Sequence, residues 1–161
     1  MQLDRIHISL SDQQLVGYAE GQVVCRYAVS TALNGAGEAE GSGCTPRGRH
    51  RIRARIGEGQ PCGAVFIGRR PTGEVWSPEL AATFPQRDWI LSRILWLCGE
   101  EPGFNRGGDV DSQRRYIYIH GTGDAQPMGR PLSHGCVRMR NTEMVELFAR
   151  TPVGCIVQID A

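Results

Sequence analysis

Two histidines and a cysteine fall close together in the chain, at His120, His134 and Cys136. A thiol attacks a carbonyl as the thiolate, and a free thiol with a pKa of about 8.5 is mostly protonated near neutrality unless a base or a positive group lies beside it. Either histidine could be that base. His134 is two residues before Cys136, whereas His120 is sixteen before it and returns only if the chain folds back. The intervening residues allow that return. Tyr116-Ile117-Tyr118-Ile119 is β-branched and aromatic, as a strand requires, and Gly121, Gly123, Pro127, Gly129 and Pro131 break regular structure directly after it. His120 is therefore expected at a strand end beside a loop, where functional groups concentrate. The reading is Cys136 as nucleophile and His120 as general base.

His120-Gly121-Thr122 followed by Ser133-His134-Gly135-Cys136-Val137-Arg138 resembles, in residue type and order, the signature of the YkuD family, the L,D-transpeptidase catalytic domain. The resemblance implies a mainly β fold with a few helices, a single YkuD-like domain of β-sandwich or β-barrel type over residues 1–161. It implies a cysteine acyl-enzyme acting where the third, L-centred residue of a murein stem peptide meets the following D-alanine. By the same resemblance His120 is the base, the Gly121 carbonyl orients its ring, and Cys136 is the nucleophile. The backbone N–H groups of Gly135 and Cys136 are the expected oxyanion donors, because a glycine there lets the main chain approach the developing charge. His134 is expected to shape the nucleophile turn or the oxyanion pocket. Arg138, Ser133, Tyr118 and Thr122 are the expected substrate contacts. Some family members carry Asn two residues after the cysteine, where this chain has Arg138. No cofactor or metal is implied, and the expected partner is a soluble murein tetrapeptide fragment.

Other chemistries fit the stretch less well. Papain-like peptidases place cysteine before histidine, the reverse of the order here. A zinc site from His120, His134 and Cys136 would lack the paired spacing of structural sites. An inert buried Cys136 leaves the two histidines and the glycines unexplained.

Composition excludes several classes of partner. With 18 Lys and Arg against 17 Asp and Glu, the net charge of +1 creates no field that favours nucleic acid or an anionic membrane. No stretch approaches the apolar length of a membrane span. A chain of 161 residues suits one domain. The opening residues, with an acid at Asp4, lack the basic and continuous apolar segments of a secretory signal. Cys25, Cys44, Cys62, Cys98, Cys136 and Cys155 form no metal or redox pair, so reduced thiols in a cytoplasmic protein are expected. Among the family, members without an export signal resemble L,D-carboxypeptidases of murein recycling, which implies transfer of the acyl group to water.

The scaffold must bring His120 and Cys136 together. Ile6 to Leu10, Gln14 to Ala19 and Gln22 to Val29 alternate as half-buried strands, with the turn between the last two at Glu20-Gly21. His7 is expected at the surface, and Cys25 as a small core or edge residue. Thr45-Pro46-Arg47-Gly48 reads as a rigid turn. Arg51, Arg53 and Arg55 share one face of a further strand, solvated unless it borders the cleft, where it could pair with substrate carboxylates. Ala64 to Ile67 and Gly73 to Trp76 read as short strands around a turn at Arg69 to Gly73. Asp88 to Cys98 has near-helical apolar spacing, with a strand as the alternative. The loop from Glu100 to Asp111 is expected to wall the cleft; Asp109 and Asp111 alternate as calcium ligands do, but the other ligands of an EF-hand loop are missing. Asn141 or Thr142 is expected to cap a helix stopped by Pro152, with Met144, Val145, Leu147 and Phe148 on its buried side. A last strand is expected from Cys155 to Ile159.

Overall fold

The apolar alternation along the chain resolves into one curled sheet with two short helices, described for all 161 residues by a computed structural model. The elements are β1 (Arg5–Ser9), β2 (Gln14–Ala19), β3 (Gln22–Ala28), β4 (Gly48–Ile56), β5 (Ala64–Ile67), β6 (Arg70–Val75), α1 (Pro78–Thr83), β7 (Ile90–Gly99), β8 (Tyr118–Gly121), β9 (Val137–Met139), α2 (Asn141–Arg150) and β10 (Ile156–Asp160). The strand order is β3-β2-β1-β10-β4-β7-β5-β6, and β8 branches from β7 to carry β9. Most pairs are antiparallel. The exceptions are β1 with β10 and β8 with β9.

Within the segment Asp88 to Cys98, the residues from Ile90 onward are a strand, β7. Its near-helical apolar spacing comes from burial on both faces, which produces a continuous apolar run that periodicity alone cannot tell from a buried helix. Leu95 and Leu97 enter the main core with Ile119, Val137, Met139 and the α2 residues Met144, Leu147 and Phe148. Ile94 turns to the opposite face, where it meets Ala64, Phe66 and Tyr118, with Trp96 and Cys136 packed at the margin. Alternation along β7 thus sends one set of side chains to stability and the other to the region of the thiol.

At Leu91 to Ile94 the register of β7 against β8 shifts, and Ser92 takes φ +72°. Such a bulge bends a strand and is costly for a residue with a Cβ. Ser92 is held there by its side chain. Its hydroxyl accepts from Gly63 N–H at 2.9 Å and donates to Asn141 Oδ1 at 2.6 Å.

Asn141 does not cap α2. The cap position is Arg140, which makes no side-chain cap bond, and Asn141 is buried one residue inside, donating to the Thr122 carbonyl at 2.9 Å. Met144, Leu147 and Phe148 form the buried side of α2, while Val145 is half-exposed. The loop from Glu100 to Asp111 adds no residue to the pocket that Cys136 lines. Asn105 inside it is fully buried and donates to the carbonyls of Arg47 and Arg49, so the loop buttresses the start of β4. His7 is partly exposed and pairs with Asp160 at 2.9 Å, and Cys25 packs at the edge of the main core. No helix is long and apolar enough to cross a membrane.

Candidate active site

The parallel pairing of β8 with β9 brings the two halves of the motif together. Ile119 faces Val137 and His120 faces Arg138, so Cys136, immediately before β9, lies at the level of Tyr118. Both β8 and β9 are buried throughout, which fixes their register through the core. His120 and Cys136 line one cleft of about 380 Å³, together with Phe66, Arg69, Asp88, Tyr116, Tyr118, Ser133, His134 and Arg138.

His120 is 1% exposed, and its Nδ1 lies 2.6 Å from the Gly121 carbonyl oxygen. A carbonyl only accepts, so Nδ1 carries the proton and Nε2 is left with a free lone pair. Burial holds the imidazole below its ordinary pKa, against the Gly121 bond and the charge of Asp88, which favour protonation. The ring is therefore neutral and basic at Nε2.

The Cys136 sulfur is held by backbone on the neighbouring strand. It accepts from Tyr118 N–H at 3.3 Å and donates to the Tyr116 carbonyl at 3.3 Å, and no hydrogen bond joins it to His120. By surface area Cys136 is only half-buried, yet desolvation pushes its thiol up to about 12. The Tyr118 N–H, Arg138 and Arg115 pull the other way, and Asp88 adds to the rise. The thiol is thus protonated at rest and needs a base at the moment of attack. Tyr116, which supplies the accepting carbonyl, has φ +56°, a left-handed conformation unfavourable for a bulky residue.

The turn that presents Cys136 is tied down at several points. Ser133 Oγ donates to the Cys136 carbonyl at 2.6 Å and accepts from Gly135 N–H at 3.2 Å. Thr45 Oγ1 donates to the Gly135 carbonyl at 2.9 Å and accepts from Ala32 N–H at 3.0 Å. Gly135 has φ +133°, and a Cβ there would stand 3.2 Å from the Cys44 carbonyl oxygen, so both conformation and space demand glycine. Of the two expected oxyanion donors, the Gly135 N–H is already spent on Ser133, whereas the Cys136 N–H has no protein acceptor. Arg115 donates to the carbonyls of Gly37, Glu38 and Cys44, clamping the glycine-rich segment against this turn.

The remaining residues divide between cleft and scaffold. His134 is exposed at the cleft mouth, with Nδ1 3.8 Å from Asp88 Oδ2. Arg138 donates to Asp88 at 3.0 Å and to the Leu132 carbonyl at 3.3 Å, and its Nε is buried without a partner. Ser133 touches the cleft but commits its hydroxyl to the nucleophile turn. Tyr118 presents its hydroxyl to Arg69 at 3.0 Å. Thr122 is not brought to the cleft; it lies just beyond the end of β8 and lines a separate depression beside Asn141 and the start of α2. Arg51, Arg53 and Arg55 are also absent from the cleft wall: Arg51 lies 3.9 Å from Glu100 and Arg55 3.9 Å from Glu58. Asp88, Arg69 and Phe66 reach the cleft from distant segments, and only the strand order brings them there.

The same architecture occurs in solved proteins. The L,D-transpeptidase from Xylanimonas cellulosilytica DSM 15894 superposes with a TM-score of 0.60 at 21% identity, covering 99% of this chain and 61% of that one. L,D-transpeptidase 3 from Mycobacterium tuberculosis gives 0.58 at 14% identity, covering 98% of this chain and 60% of that one. In sequence, the Escherichia coli (strain K12) protein named "Probable L,D-transpeptidase YbiS" is 48% identical over 94 residues, which is 57% of this chain and 30% of that protein's length. Residues 3–159 match the family described as YkuD, L,D-transpeptidase catalytic domain, and the chain belongs to that family.

Proposed function

We propose that this chain is a cysteine acyl-transfer enzyme that opens the L,D bond of murein tetrapeptide stems and passes the acyl group to water, an L,D-carboxypeptidase of murein recycling. One observation carries the reading. Cys136 and His120 share a cleft of about 380 Å³ in which His120 Nδ1 is committed to the Gly121 carbonyl, leaving Nε2 as a base.

In this reading the thiol swings from the Tyr116 carbonyl toward His120 when a peptide enters. His120 Nε2 takes the thiol proton while sulfur bonds to the carbonyl carbon of the L-residue. The oxyanion that forms is met by the Cys136 N–H. As the intermediate collapses, the C–N bond breaks and His120 gives its proton to the departing amine, leaving a thioester on Cys136. Water then attacks with His120 again as base, the C–S bond breaks, and the proton returns to sulfur. Asp88 and Arg138, paired at 3.0 Å, form the polar wall opposite.

The choice of water follows the six unpaired cysteines, which suit a reducing compartment such as the cytosol. A transpeptidase reading has its own support. Tyr116 and His134 also border a second groove of about 410 Å³ with Glu40, Gly43, Arg114 and Arg115, room for an amine acceptor approaching from the other side. Mass spectrometry of purified enzyme with a soluble tetrapeptide muropeptide, with and without an added amine, separates the two. Tripeptide plus D-alanine is expected. A predominant cross-linked dimer moves the assignment to transpeptidation, and no acyl transfer at all sinks the reading.

A further inference from the structure

Arg69 has four properties that its place in the chain does not require. First, β5 and β6 pair Ile67 with Arg70, so Gly68 and Arg69 are the two central residues of a tight hairpin turn. Both have positive φ, +56° and +64°. That is the geometry of a type I′ turn, which selects glycine, asparagine or aspartate, and arginine there is held against its backbone preference. A non-glycine residue kept in such a conformation points to a role for its side chain.

Second, the guanidinium is fixed. It lies over the Trp96 ring and over the Tyr116 ring, 4.9 Å from each centroid, and donates to the Tyr118 hydroxyl at 3.0 Å. Third, its charge is uncompensated. Among the basic side chains lining the cleft, Arg138 and His134 both approach Asp88, whereas Arg69 has no carboxylate within 4.0 Å. Its one hydrogen bond uses one of five N–H donors. Fourth, two of the three residues that hold Arg69 also hold the sulfur. The Tyr116 carbonyl accepts from Cys136 Sγ and the Tyr118 N–H donates to it, each at 3.3 Å.

We infer that Arg69 is the carboxylate-recognition residue of this cleft, a preorganised guanidinium fork that pairs with a free carboxylate of the peptide whose carbonyl meets Cys136. The inference rests on the reading of the cleft as a peptide site. A planar fork already stacked on aromatic faces loses little freedom on pairing, and carboxylate matches its bidentate geometry. The Arg51, Arg53 and Arg55 face, which lies outside the cleft, cannot supply this contact.

The test measures binding without turnover, in Cys136→Ala protein, by calorimetry with three peptides: a tetrapeptide stem with all carboxylates free, its C-terminal amide, and its counterpart amidated at the internal carboxylates. Amidation at one of these places is expected to weaken binding about tenfold or more, the usual worth of a charge-assisted hydrogen bond. Which amide fails identifies the carboxylate. In the Cys136→Ala/Arg69→Gly and Cys136→Ala/Arg69→Asn proteins, whose new residues suit the turn, that penalty is expected to vanish. A penalty that persists in these variants, or no penalty in any peptide, overturns the inference while leaving the peptide reading standing. Absence of binding by all three peptides overturns both.

Discussion

His120 Nδ1 and the Gly121 carbonyl oxygen, on adjacent residues, lie 2.6 Å apart, so the histidine ring is oriented by its own backbone and not by a carboxylate. That position must be glycine, because a Cβ there would run into Asn141 Oδ1 and the Leu91 carbonyl. The general base is therefore set by the β7–β8–α2 junction.

Cys136→Ala is expected to abolish acyl transfer while shifting the melting temperature little, since the side chain is small and only half-buried. Cys136→Ser is expected to be almost inactive as well. Turnover retained by either variant, measured by release of D-alanine, would remove Cys136 from the chemistry.

His120→Ala is expected to lower kcat by about a hundredfold to ten-thousandfold, the usual worth of a positioned base. His134→Ala, altering an exposed ring, is expected to cost less than about tenfold. Alkylation of the thiol across pH reads the same difference. With burial pushing Cys136 up to about 12, alkylation of Cys136 at neutral pH is expected to depend on His120, and the Cys136 profile in His120→Ala should shift to high pH. Unchanged reactivity in His120→Ala with loss in His134→Ala would reverse the roles.

His50, fully buried on β4, predicts acid lability. Its Nδ1 faces the Gly48 carbonyl at 3.1 Å and its Nε2 meets Ser112 Oγ at 2.8 Å, an arrangement suited to the neutral ring. Burial lowers its pKa from 6.5 to about 4, so the unfolded chain takes up a proton before the folded one does. Stability is then complete above pH 6.5 and falls as pH drops toward 4, by about 3 kcal/mol from this group. Urea midpoints at several pH values should show a shallower fall in His50→Gln. An identical fall in both proteins would exclude His50 as the cause.

Asn141→Ala should destabilise by about 2 to 3 kcal/mol, because the Ser92 hydroxyl and the Thr122 carbonyl lose buried partners. Activity should fall beyond what lost stability explains, since the same amide borders Gly121. Denaturant unfolding together with kcat on the folded fraction checks both. A variant as stable and active as the parent would show that the β7 bulge holds without it.

The sequence made the chemical pair legible because its residue types are scarce and its spacing is bounded by strand and turn signals. It hid what three-dimensional pairing decides. The β7 segment looked near-helical because burial on both faces erases alternation. Asn141 looked like a cap because Asn favours caps, but the left-handed Ser92 across the sheet claims its side chain. Arg69 sat inside a turn signal, and nothing in its neighbours shows that β5 carries that turn to the thiol. Gly68-Arg69, an arginine where a tight hairpin wants a small residue, was the available clue. Thr122 shares a motif with His120 but not its cleft, since it lies just beyond the end of β8, in a separate depression.

The side-by-side placement of β1 and β10, in the middle of the sheet, bears on the order of events at the ribosome. Arg5 to Ser9 find their neighbours at Ile156 to Asp160, so the first strand waits for the last before its second edge is covered. The link from β1 to β4, and through β7 to the thiol, runs across β10. A chain lacking those five residues leaves β1 to β3 and the strands that carry the histidines and the cysteine as two unjoined halves of the sheet.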